Sequence, residues 1–415
     1  MKKMHYAWWI MIACCAITSC TGFVMTSGGN FFRPVAEELG VGVGKLMLYI
    51  TIISLTMAAL FPTAGKLMGK HLKPVLLAGG ILQYIPFGLL CFANDLMHFY
   101  IVGLFIGIGS SVTMFMAVPI LMNMWFVEKK GLAMGIALAF SGVAGMIGST
   151  IVGFTIPALG WRISYVILAV IGLALYVPAI LFLVKTPQEK NMQPYGADVV
   201  RQTAQGATQQ ATSMVVKKEL SPAAIKVALV SMMLMAMVLA AAAAESTQVS
   251  SFSTGHFGMT IGMAATMTSC FAMGSMVGKI IFGALDDRFG HVATFLFGIV
   301  LIVISQTMFL VGANSAALAL LAAVLGGIAM AVYGVLPPLM TSEIFGQKDY
   351  NKYWAYIMSA GCIAGAFATP LYGTVFDLTG TYTAVFAMII AFGLIGGLFG
   401  LLALRIRTAA DKKAA

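Results

Sequence analysis

Long apolar stretches separated by short polar breaks run through the whole chain. Each stretch holds about 20 residues or more, the length of helix that crosses the hydrocarbon core of a bilayer. The breaks contain charged residues or clusters of Gly and Pro. Strands of a membrane barrel would alternate apolar and polar residues, and these stretches do not. The pattern predicts twelve membrane-spanning helices, near residues 7–29, 44–65, 74–93, 97–123, 131–157, 163–184, 223–248, 260–285, 292–312, 316–340, 353–376 and 382–404.

The composition agrees with this pattern. Hydrophobic residues make up 60% of the 415 residues and charged residues only 9%, too few to cover the surface of a soluble protein of this size. We therefore expect an all-α membrane protein. All six cysteines fall within predicted spans. Because the paired cysteines of secreted proteins lie in exposed loops, we expect no disulfides.

The basic residues predict how the spans are oriented. An even number of spans places both termini on one side, and loops on the cytoplasmic side carry an excess of Lys and Arg. Of the 24 Lys and Arg residues, only Arg33, Lys45 and Arg162 lie on the side opposite the termini, and only Lys279 lies within a span away from its ends. We expect both termini to be cytoplasmic and the protein to lie in the cell (inner) membrane. The net charge of +10 is then explained by topology, so we do not expect nucleic-acid binding.

A polar segment divides the chain into two halves. Residues 203–212 carry no charge and no large apolar side chain, so they can bury nothing. We predict an N-terminal six-helix bundle over residues 1–184, a cytoplasmic linker over 185–221 and a C-terminal six-helix bundle over 222–415. Two such pseudo-symmetric bundles are typical of transporters built from repeats related by an axis along the membrane normal.

The turns that follow the second and eighth predicted spans have related sequences. The first reads Gly65-Lys-Leu67-Met-Gly69-Lys70-His-Leu-Lys73, and the second reads Gly283-Ala-Leu285-Asp-Asp287-Arg288-Phe-Gly290-His291. A glycine where two helices touch, followed by an acid and a base at the turn, suits a joint that is closely packed and still able to open.

The second turn resembles the signature loop of the major facilitator superfamily, Gly-x-x-x-Asp-Arg-x-Gly-Arg/Lys. It keeps four residues of that pattern, which we expect to act in gating: Gly283, Asp287, Arg288 and Gly290. The first turn keeps a base at Lys70, also expected to act in gating, but has Gly69 in place of the acid. The gate of the first half is therefore expected to depend less on an acid-base pair.

A more specific resemblance extends over nearly the whole chain. Short sequence pieces, in order and spacing, are similar to the branch of monocarboxylate transporters and oxalate/formate antiporters. These pieces are Tyr6-Ala-Trp8-Trp9, Asn30-Phe31-Phe32-Arg33-Pro34, Glu37-Glu38-Leu39-Gly40, Trp125-Phe126, Gly131-Leu-Ala-Met-Gly135, Gly160-Trp161-Arg162 and Glu343-Ile-Phe345-Gly346.

Lys279 is the candidate for binding an anion. It lies eight residues before Asp287, about 12 Å up the helix from the turn and so within the hydrocarbon. A lysine at that depth costs roughly 2.5–3.5 kcal/mol on insertion scales, which makes it a functional candidate. The alternative is a structural role, in which the side chain snorkels to the cytoplasmic side or pairs with an acid on a neighbouring helix.

The resemblance implies the same role for this position. Related carriers have Gly-Arg-x-x-x-Gly in the eighth span, with the arginine facing the substrate carboxylate, and here the stretch runs from Gly278-Lys279 to Gly283. Lysine keeps the charge and loses the planar bidentate group. The oxalate exchanger has a second cationic residue, whose equivalent position in this sequence lies near Ala360. Because alanine carries no charge, we expect monocarboxylates to be preferred over dicarboxylates.

Further candidates surround this position. Helical spacing places Ser275 on the same face as Lys279, and Tyr333, Tyr356 and Ser359 are expected to close over a bound carboxylate. The animal proton-coupled carriers have an aspartate where Ser275 stands, so their proton relay is absent.

Proton coupling is expected to involve Lys279 itself or Glu245, which lies near the outer end of the seventh span. For Glu245 we favour the simpler interpretation of a helix end in contact with water.

The residues favour a secondary transporter, either symporter or antiporter, of small organic anions, with monocarboxylates as the main class. We expect a monomer in the lipid bilayer, with the anion and candidate protons as its partners. The 30 methionines lack an accompanying Cys or His cluster, so we expect no metal or other cofactor. The alternatives are an exporter of neutral solutes or drugs in which Lys279 is structural, and a membrane-embedded sensor. An enzyme is not expected, because no catalytic cluster is evident.

Overall fold

The computed structural model describes residues 4–197, 220–311 and 315–412. Ten helices in these ranges are long and apolar enough to cross a membrane. Two of them, Lys130–Pro178 and Ile261–Val311, have 49 and 51 residues, about twice the length that one crossing needs. Each bends at a glycine with positive φ, Gly160 at 81° and Gly290 at 76°, a conformation that glycine adopts at little cost. Each therefore holds two spans, and the prediction of twelve membrane helices is confirmed.

The spans are numbered here in chain order. They are Tyr6–Ser27 (span 1), Val43–Lys70 (span 2), Leu72–Leu89 (span 3), Leu96–Thr113 continued by Ala117–Trp125 (span 4), Lys130–Pro178 (spans 5 and 6), Pro222–Ala243 (span 7), Ile261–Val311 (spans 8 and 9), Ala316–Phe345 (span 10), Tyr350–Thr379 (span 11) and Thr383–Lys412 (span 12). Shorter helices occupy Phe32–Leu39, Pro187–Lys190 and Val249–Gly255.

The two groups of six spans meet along two joints. Span 5 packs against span 8, and span 2 packs against span 11. Each joint pairs the fifth helix of one group with the second helix of the other, as expected for pseudo-symmetric bundles. The face at which span 1 begins and span 12 ends is called the terminus side below.

Large apolar side chains also cover the outside of the molecule. Phe154, Phe182 and Leu398 are 75%, 72% and 66% exposed. In water such a surface would aggregate, whereas lipid tails are as apolar as these side chains. The protein is thus an all-α, multi-pass membrane protein.

Span 4 departs from the prediction of one continuous helix, because it is interrupted at Met114–Met116. Pro119 has no backbone N–H, so it cannot donate to the carbonyl group of Phe115 four residues earlier. The indole of Trp354 in span 11 donates to that carbonyl instead (Nε1 to O, 3.0 Å). The break in span 4 is therefore stabilised by the other half of the molecule.

The start of the predicted linker is folded against the first bundle. Thr186 caps the helix Pro187–Lys190 in a capping box with Glu189. The backbone N–H of Tyr195 donates to the carbonyl of Trp125 at 2.8 Å. The polar tract over residues 203–212, on which the linker prediction rests, lies outside the described residues.

Candidate functional site

Spans 5 and 8 touch backbone to backbone on the terminus side of their joint. A Cβ atom added to Gly283 would collide with the carbonyl oxygen of Gly131, and one added to Gly135 would collide with the carbonyl oxygen of Lys279. Small residues permit this approach, as at other helix contacts in membranes. The contact fixes the backbone of Lys279 at the boundary between the two bundles.

The side chain of Lys279 crosses that boundary. Its Nζ donates to the carbonyl oxygen of Leu138 at 3.3 Å and lies 3.2 Å from Oγ of Ser141, both on span 5. These residues lie farther from the terminus side than Gly135, so the side chain does not snorkel toward the terminus side. Within residues 4–197, 220–311 and 315–412, no carboxylate pairs with this ammonium group.

A small cavity lies next to this contact, between spans 4, 5, 10 and 11. Its volume is about 20 Å³, room for about one water molecule. Leu138 joins the cavity to Lys279, because its carbonyl oxygen accepts the hydrogen bond from Nζ. The lining is mostly aromatic and apolar: Phe115, Pro119, Leu138, Tyr333, Gly334, Trp354 and Met358.

The other predicted binding residues are placed differently. Tyr333 lines the cavity. Ser275 lies one helical turn from Lys279, where its backbone N closely approaches Gly327 of span 10. Ser359 donates its hydroxyl to the carbonyl of Ala355 in its own helix, at 3.0 Å. Tyr356 lies on the same helix and, like Ser359, is not part of the cavity lining.

Sequence reasoning missed several contributors to this region, among them Phe115, Trp354 and Ser141. The one available signal was Pro119 within the fourth apolar stretch, since a proline inside a helix frees a carbonyl group four residues earlier. Nothing in the sequence indicated which distant residue would bind that carbonyl.

The interpretation of Glu245 as a helix end in contact with water is wrong. The residue is 1% exposed, because a 3₁₀ turn at Ala244–Thr247 brings its carboxylate against span 9. There Nε2 of Gln306 donates to both carboxylate oxygens at 2.9 Å. The Oε1 of Gln306 is buried and has no hydrogen-bond partner among the described residues. Glu245 thus lies in a polar pair inside the second bundle.

Asp287 joins the bundles on the terminus side. Its carboxylate oxygens accept hydrogen bonds from the backbone N–H groups of Gly131 and Leu132, each at 2.8 Å. These are unpaired donors at the N-terminus of span 5, where the helix dipole also favours negative charge. Burial raises the pKa of Asp287, and the two N–H donors oppose that shift by stabilising the carboxylate.

The remaining predicted gating residues lie around the two turns. Gly290 forms the bend between spans 8 and 9, and the Arg288 guanidinium lies over the Phe289 ring at 5.2 Å. Lys70 ends span 2 and lines a cleft on the terminus side. These residues frame the joints, whereas Asp287 and Gly283 make the contacts across them.

A polar cluster that the sequence did not reveal joins the ends of spans 4, 5 and 10. Oδ1 of Asn123 accepts hydrogen bonds from Nζ of Lys130 at 2.8 Å and from the hydroxyl of Ser342 at 2.7 Å. The side-chain amide of Gln347 donates to the Asn123 carbonyl at 3.3 Å. Asn123 is 4% exposed, whereas Lys130 and Ser342 are half-buried and Gln347 is exposed, so Asn123 is the buried centre of a polar link between the bundles.

His291 completes the turn after span 8. Its Nδ1 lies 2.7 Å from the Asp286 carboxylate, and its Nε2 lies 3.8 Å from that of Glu343 in span 10. Burial lowers the pKa of His291, but the hydrogen bonds to Asp286 and Glu343 raise it more, to about 9. No group of three His, Cys, Asp or Glu residues that could hold a metal ion occurs in the part of the chain that the structure describes.

Comparison with known proteins agrees with this architecture. Human monocarboxylate transporter 12 is 24% identical over 403 residues, which are 92% of this chain and 77% of that protein. A multidrug transporter protein of Bacillus subtilis is 25% identical over 146 residues, which are 35% of this chain and 27% of that protein. The crystal structure of a single-residue variant of the E. coli fucose:proton symporter superposes with a TM-score of 0.69 at 16% identity. That match covers 96% of this chain and 99% of the symporter, and it shows the fold.

The family comparison confirms the resemblance drawn from the turn motifs. The model of the Major Facilitator Superfamily matches residues 12–255 and 227–415. The first of these matches alone covers more than half of the chain. The chain belongs to the Major Facilitator Superfamily and is a transporter of small molecules that spans the lipid bilayer many times.

Proposed function

We propose that this transporter carries small organic anions, with monocarboxylates as the main class, by alternating access, and that Lys279 supplies the counter-charge. The observation that carries the proposal is the environment of the ammonium group. It lies between the bundles, and its two partners, the Leu138 carbonyl and the Ser141 hydroxyl, are neutral. Ionisable residues inside membrane proteins are rare and often mark the path of a substrate, and a substrate carboxylate would provide the anionic partner that the described residues do not.

The position of Lys279 also suits alternating access. Its backbone belongs to the second bundle and both partners of its ammonium belong to the first. Separation of spans 5 and 8 breaks these two contacts and exposes the charge to an entering anion. In the present arrangement the adjacent cavity of about 20 Å³ is too small for a carboxylate solute, so we infer that substrate enters only when the spans separate.

The cavity lining supports a monocarboxylate. Phe115, Trp354 and Met358 offer an apolar surface to the part of the solute that carries no charge. Ala360 in span 11 provides no second cation. A second carboxylate would therefore lose its water without gaining a partner, which is costly. The name of the human relative, a monocarboxylate transporter, agrees with this class.

Glu245 and Gln306 support coupling to protons. As a carboxylate, Glu245 accepts two hydrogen bonds from the amide nitrogen of Gln306, and the amide oxygen has no partner within the described ranges. A protonated Glu245 would donate to that oxygen, so the amide can serve both forms of the carboxyl group. The pair is our candidate for the proton-carrying element, in place of the aspartate absent at Ser275.

Uptake of labelled monocarboxylates into proteoliposomes tests the role of Lys279. Lys279→Ala should reduce uptake by at least about tenfold, the loss expected for one charged contact with substrate, whereas Lys279→Arg should keep part of it with altered selectivity. Lys226→Ala is the matched control and should leave uptake unchanged, because Lys226 is an exposed lysine near the start of span 7. Undiminished uptake by Lys279→Ala would end the anion-site proposal.

One observation favours a second candidate, an exporter of neutral solutes or drugs. The ammonium group of Lys279 already has two hydrogen-bond partners, and part of the chain is similar to a multidrug transporter protein. If Lys279 only joined the bundles, Lys279→Gln would keep hydrogen bonds to span 5 and would preserve transport. Under the anion proposal, the same variant loses transport because glutamine carries no charge.

A further inference from the structure

A large cleft opens on the terminus side of the molecule, separate from the Lys279 site. Its volume is about 1010 Å³, at the upper end of the range for small-molecule sites. It lies where the turn after span 2, the end of span 4 and the segment after span 6 meet the turn between spans 10 and 11. The cleft therefore has walls from both halves of the protein.

The charge of this cleft is strongly positive. Lys70, Lys73 and Lys185 of the first half and Lys348 of the second half line it, and among the described residues of the lining Glu189 is the one acid. The Glu189 carboxylate already accepts the backbone N–H of Thr186. These four lysines therefore line the cleft with little compensating negative charge from the described residues.

The ammonium groups of three of these lysines have no partner in the part of the chain that the structure describes. Nζ of Lys73 donates to the carbonyl of Leu181 at 2.7 Å. Lys70, Lys185 and Lys348 make neither a side-chain hydrogen bond nor an ion pair with any residue in the described ranges. A cluster of like charges on a concave surface repels itself and concentrates anions.

The chemistry of the lining selects the class of ligand. A lysine ammonium is a compact point charge with three donors, suited to the tetrahedral oxygens of a phosphate group. A single carboxylate could neutralise one of the four lysines, whereas an anion with several charges can bridge them. Side-chain amides at Gln188, Asn191 and Asn351 add further donors around the cleft.

We propose that the cleft binds a multivalent phosphate-bearing anion, which bridges Lys70 and Lys185 of the first half to Lys348 of the second half. Such a ligand contacts both halves only while they are close together. It therefore binds this arrangement more tightly than one in which the two halves have separated. Binding stabilises the closed terminus side. This bridge would act at the joint of spans 2 and 11, where Gly69 stands in place of an acid. The site is independent of the substrate that Lys279 binds.

Two sources could supply this chemistry, a soluble phosphate compound or the headgroup of an anionic lipid. Isothermal titration of the purified full-length protein with inorganic pyrophosphate at low ionic strength tests the first. Thermal unfolding in nanodiscs of phosphatidylcholine, with or without phosphatidylglycerol, tests the second. Both experiments compare the unmodified protein with the double variant Lys70→Gln/Lys348→Gln, called the cleft variant. The matched control is Lys66→Gln/Lys352→Gln, which removes the same charge from spans 2 and 11 outside the cleft.

We expect saturable binding of pyrophosphate, about tenfold weaker in the cleft variant and nearly unchanged in the control. Stabilisation by phosphatidylglycerol alone, lost in the cleft variant and kept in the control, would support the site with lipid as the source. If both double variants lost binding or stabilisation equally, the effect would depend on net charge alone, and the proposal would be overturned. Absence of binding and of stabilisation by either probe would overturn it as well.

Discussion

The two joints between the bundles occupy equivalent places, and different chemistry holds each one closed. At the joint of spans 5 and 8, the Asp287 carboxylate accepts two backbone N–H groups at the start of span 5. At the joint of spans 2 and 11, Gly69 stands at the equivalent position, and its approach to Asn351 of span 11 is ordinary van der Waals contact. Asp349, at the N-terminus of span 11, makes no capping hydrogen bond through its side chain in the described part of the chain.

The glycines one turn earlier are alike in both joints. A Cβ on Gly283 would collide with the Gly131 carbonyl, and one on Gly65 would lie 2.6 Å from the carbonyl oxygen of Asn351. Close packing is therefore common to both joints, whereas the charged contact with a helix N-terminus belongs to one. The difference teaches that the charged contact that holds the bundles closed lies at spans 5 and 8, whereas packing holds spans 2 and 11 together. The ligand that we propose for the cleft would add to that packing.

The largest effect is expected from overfilling the closely packed joint. Gly283→Ala should destabilise the folded protein by about 2 kcal/mol or more, because backbone atoms of span 5 must move to admit the new methyl group, and it should abolish most transport. Gly69→Ala is the control, since its Cβ would meet only Nδ2 of Asn351, at 3.5 Å. Thermal unfolding and vesicle uptake measure both effects. Equal stability of the two variants would contradict the packing account.

Removal of the charged contact should have the next largest effect. Asp287→Ala leaves the N–H groups of Gly131 and Leu132 without their acceptor, a loss of about 1–2 kcal/mol for a capping residue. Asp349→Ala should change little, because Asp349 caps nothing through its side chain. Thermal unfolding of both variants beside the unmodified protein provides the comparison. A similar loss in Asp349→Ala would show that the two joints do not differ in this way.

The His291 contact predicts a dependence of stability on pH. Because its pKa is raised to about 9, from an ordinary value near 6.5, protonated His291 stabilises the folded protein fully below about pH 6.5. That contribution is lost as pH rises through about 9, at on the order of 1 kcal/mol per pH unit or less.

Melting temperatures measured between pH 6 and pH 10 should therefore fall less in His291→Gln than in the unmodified protein. Lys73→Gln, at the equivalent position of the first turn, is the control. Its melting temperature should change with pH as steeply as that of the unmodified protein. If the melting temperature of His291→Gln fell as steeply with pH as that of the unmodified protein, the His291 contact would be excluded as the source of the pH dependence.

The smallest effect is expected from giving the second joint the missing acid. Gly69→Asp places a carboxylate near the N-terminus of span 11 and should stabilise closure by about 0.3–1 kcal/mol through the helix dipole. Transport should slow, because the closed terminus side must open in each cycle. Gly69→Asn is the control, because asparagine has nearly the size of aspartate and carries no charge. A gain in melting temperature of the same size in the asparagine variant would assign the effect to size rather than to charge.

Most of the architecture was predictable, and most of the site was not. The spans follow from hydrophobic length, and the bends at Gly160 and Gly290 fall in predicted breaks. Lys279 was recognised because a charge in hydrocarbon is conspicuous. Its partners on span 5 were not, because a carbonyl and a serine have no distinctive sequence pattern. Glu245 was misjudged because its burial depends on a turn that hydrophobicity does not reveal.

The sequence by itself determined that the chain crosses a membrane as twelve helices in two related groups. A helix satisfies its own backbone hydrogen bonds, so an apolar stretch of sufficient length specifies a span without reference to the rest of the chain. Only the tertiary structure decided which helices meet and which polar atoms pair across them. Asn123 and Ser342 are 219 positions apart, and Asp287 binds the start of a helix 156 positions before it. Such contacts depend on how whole helices pack, which local sequence does not encode.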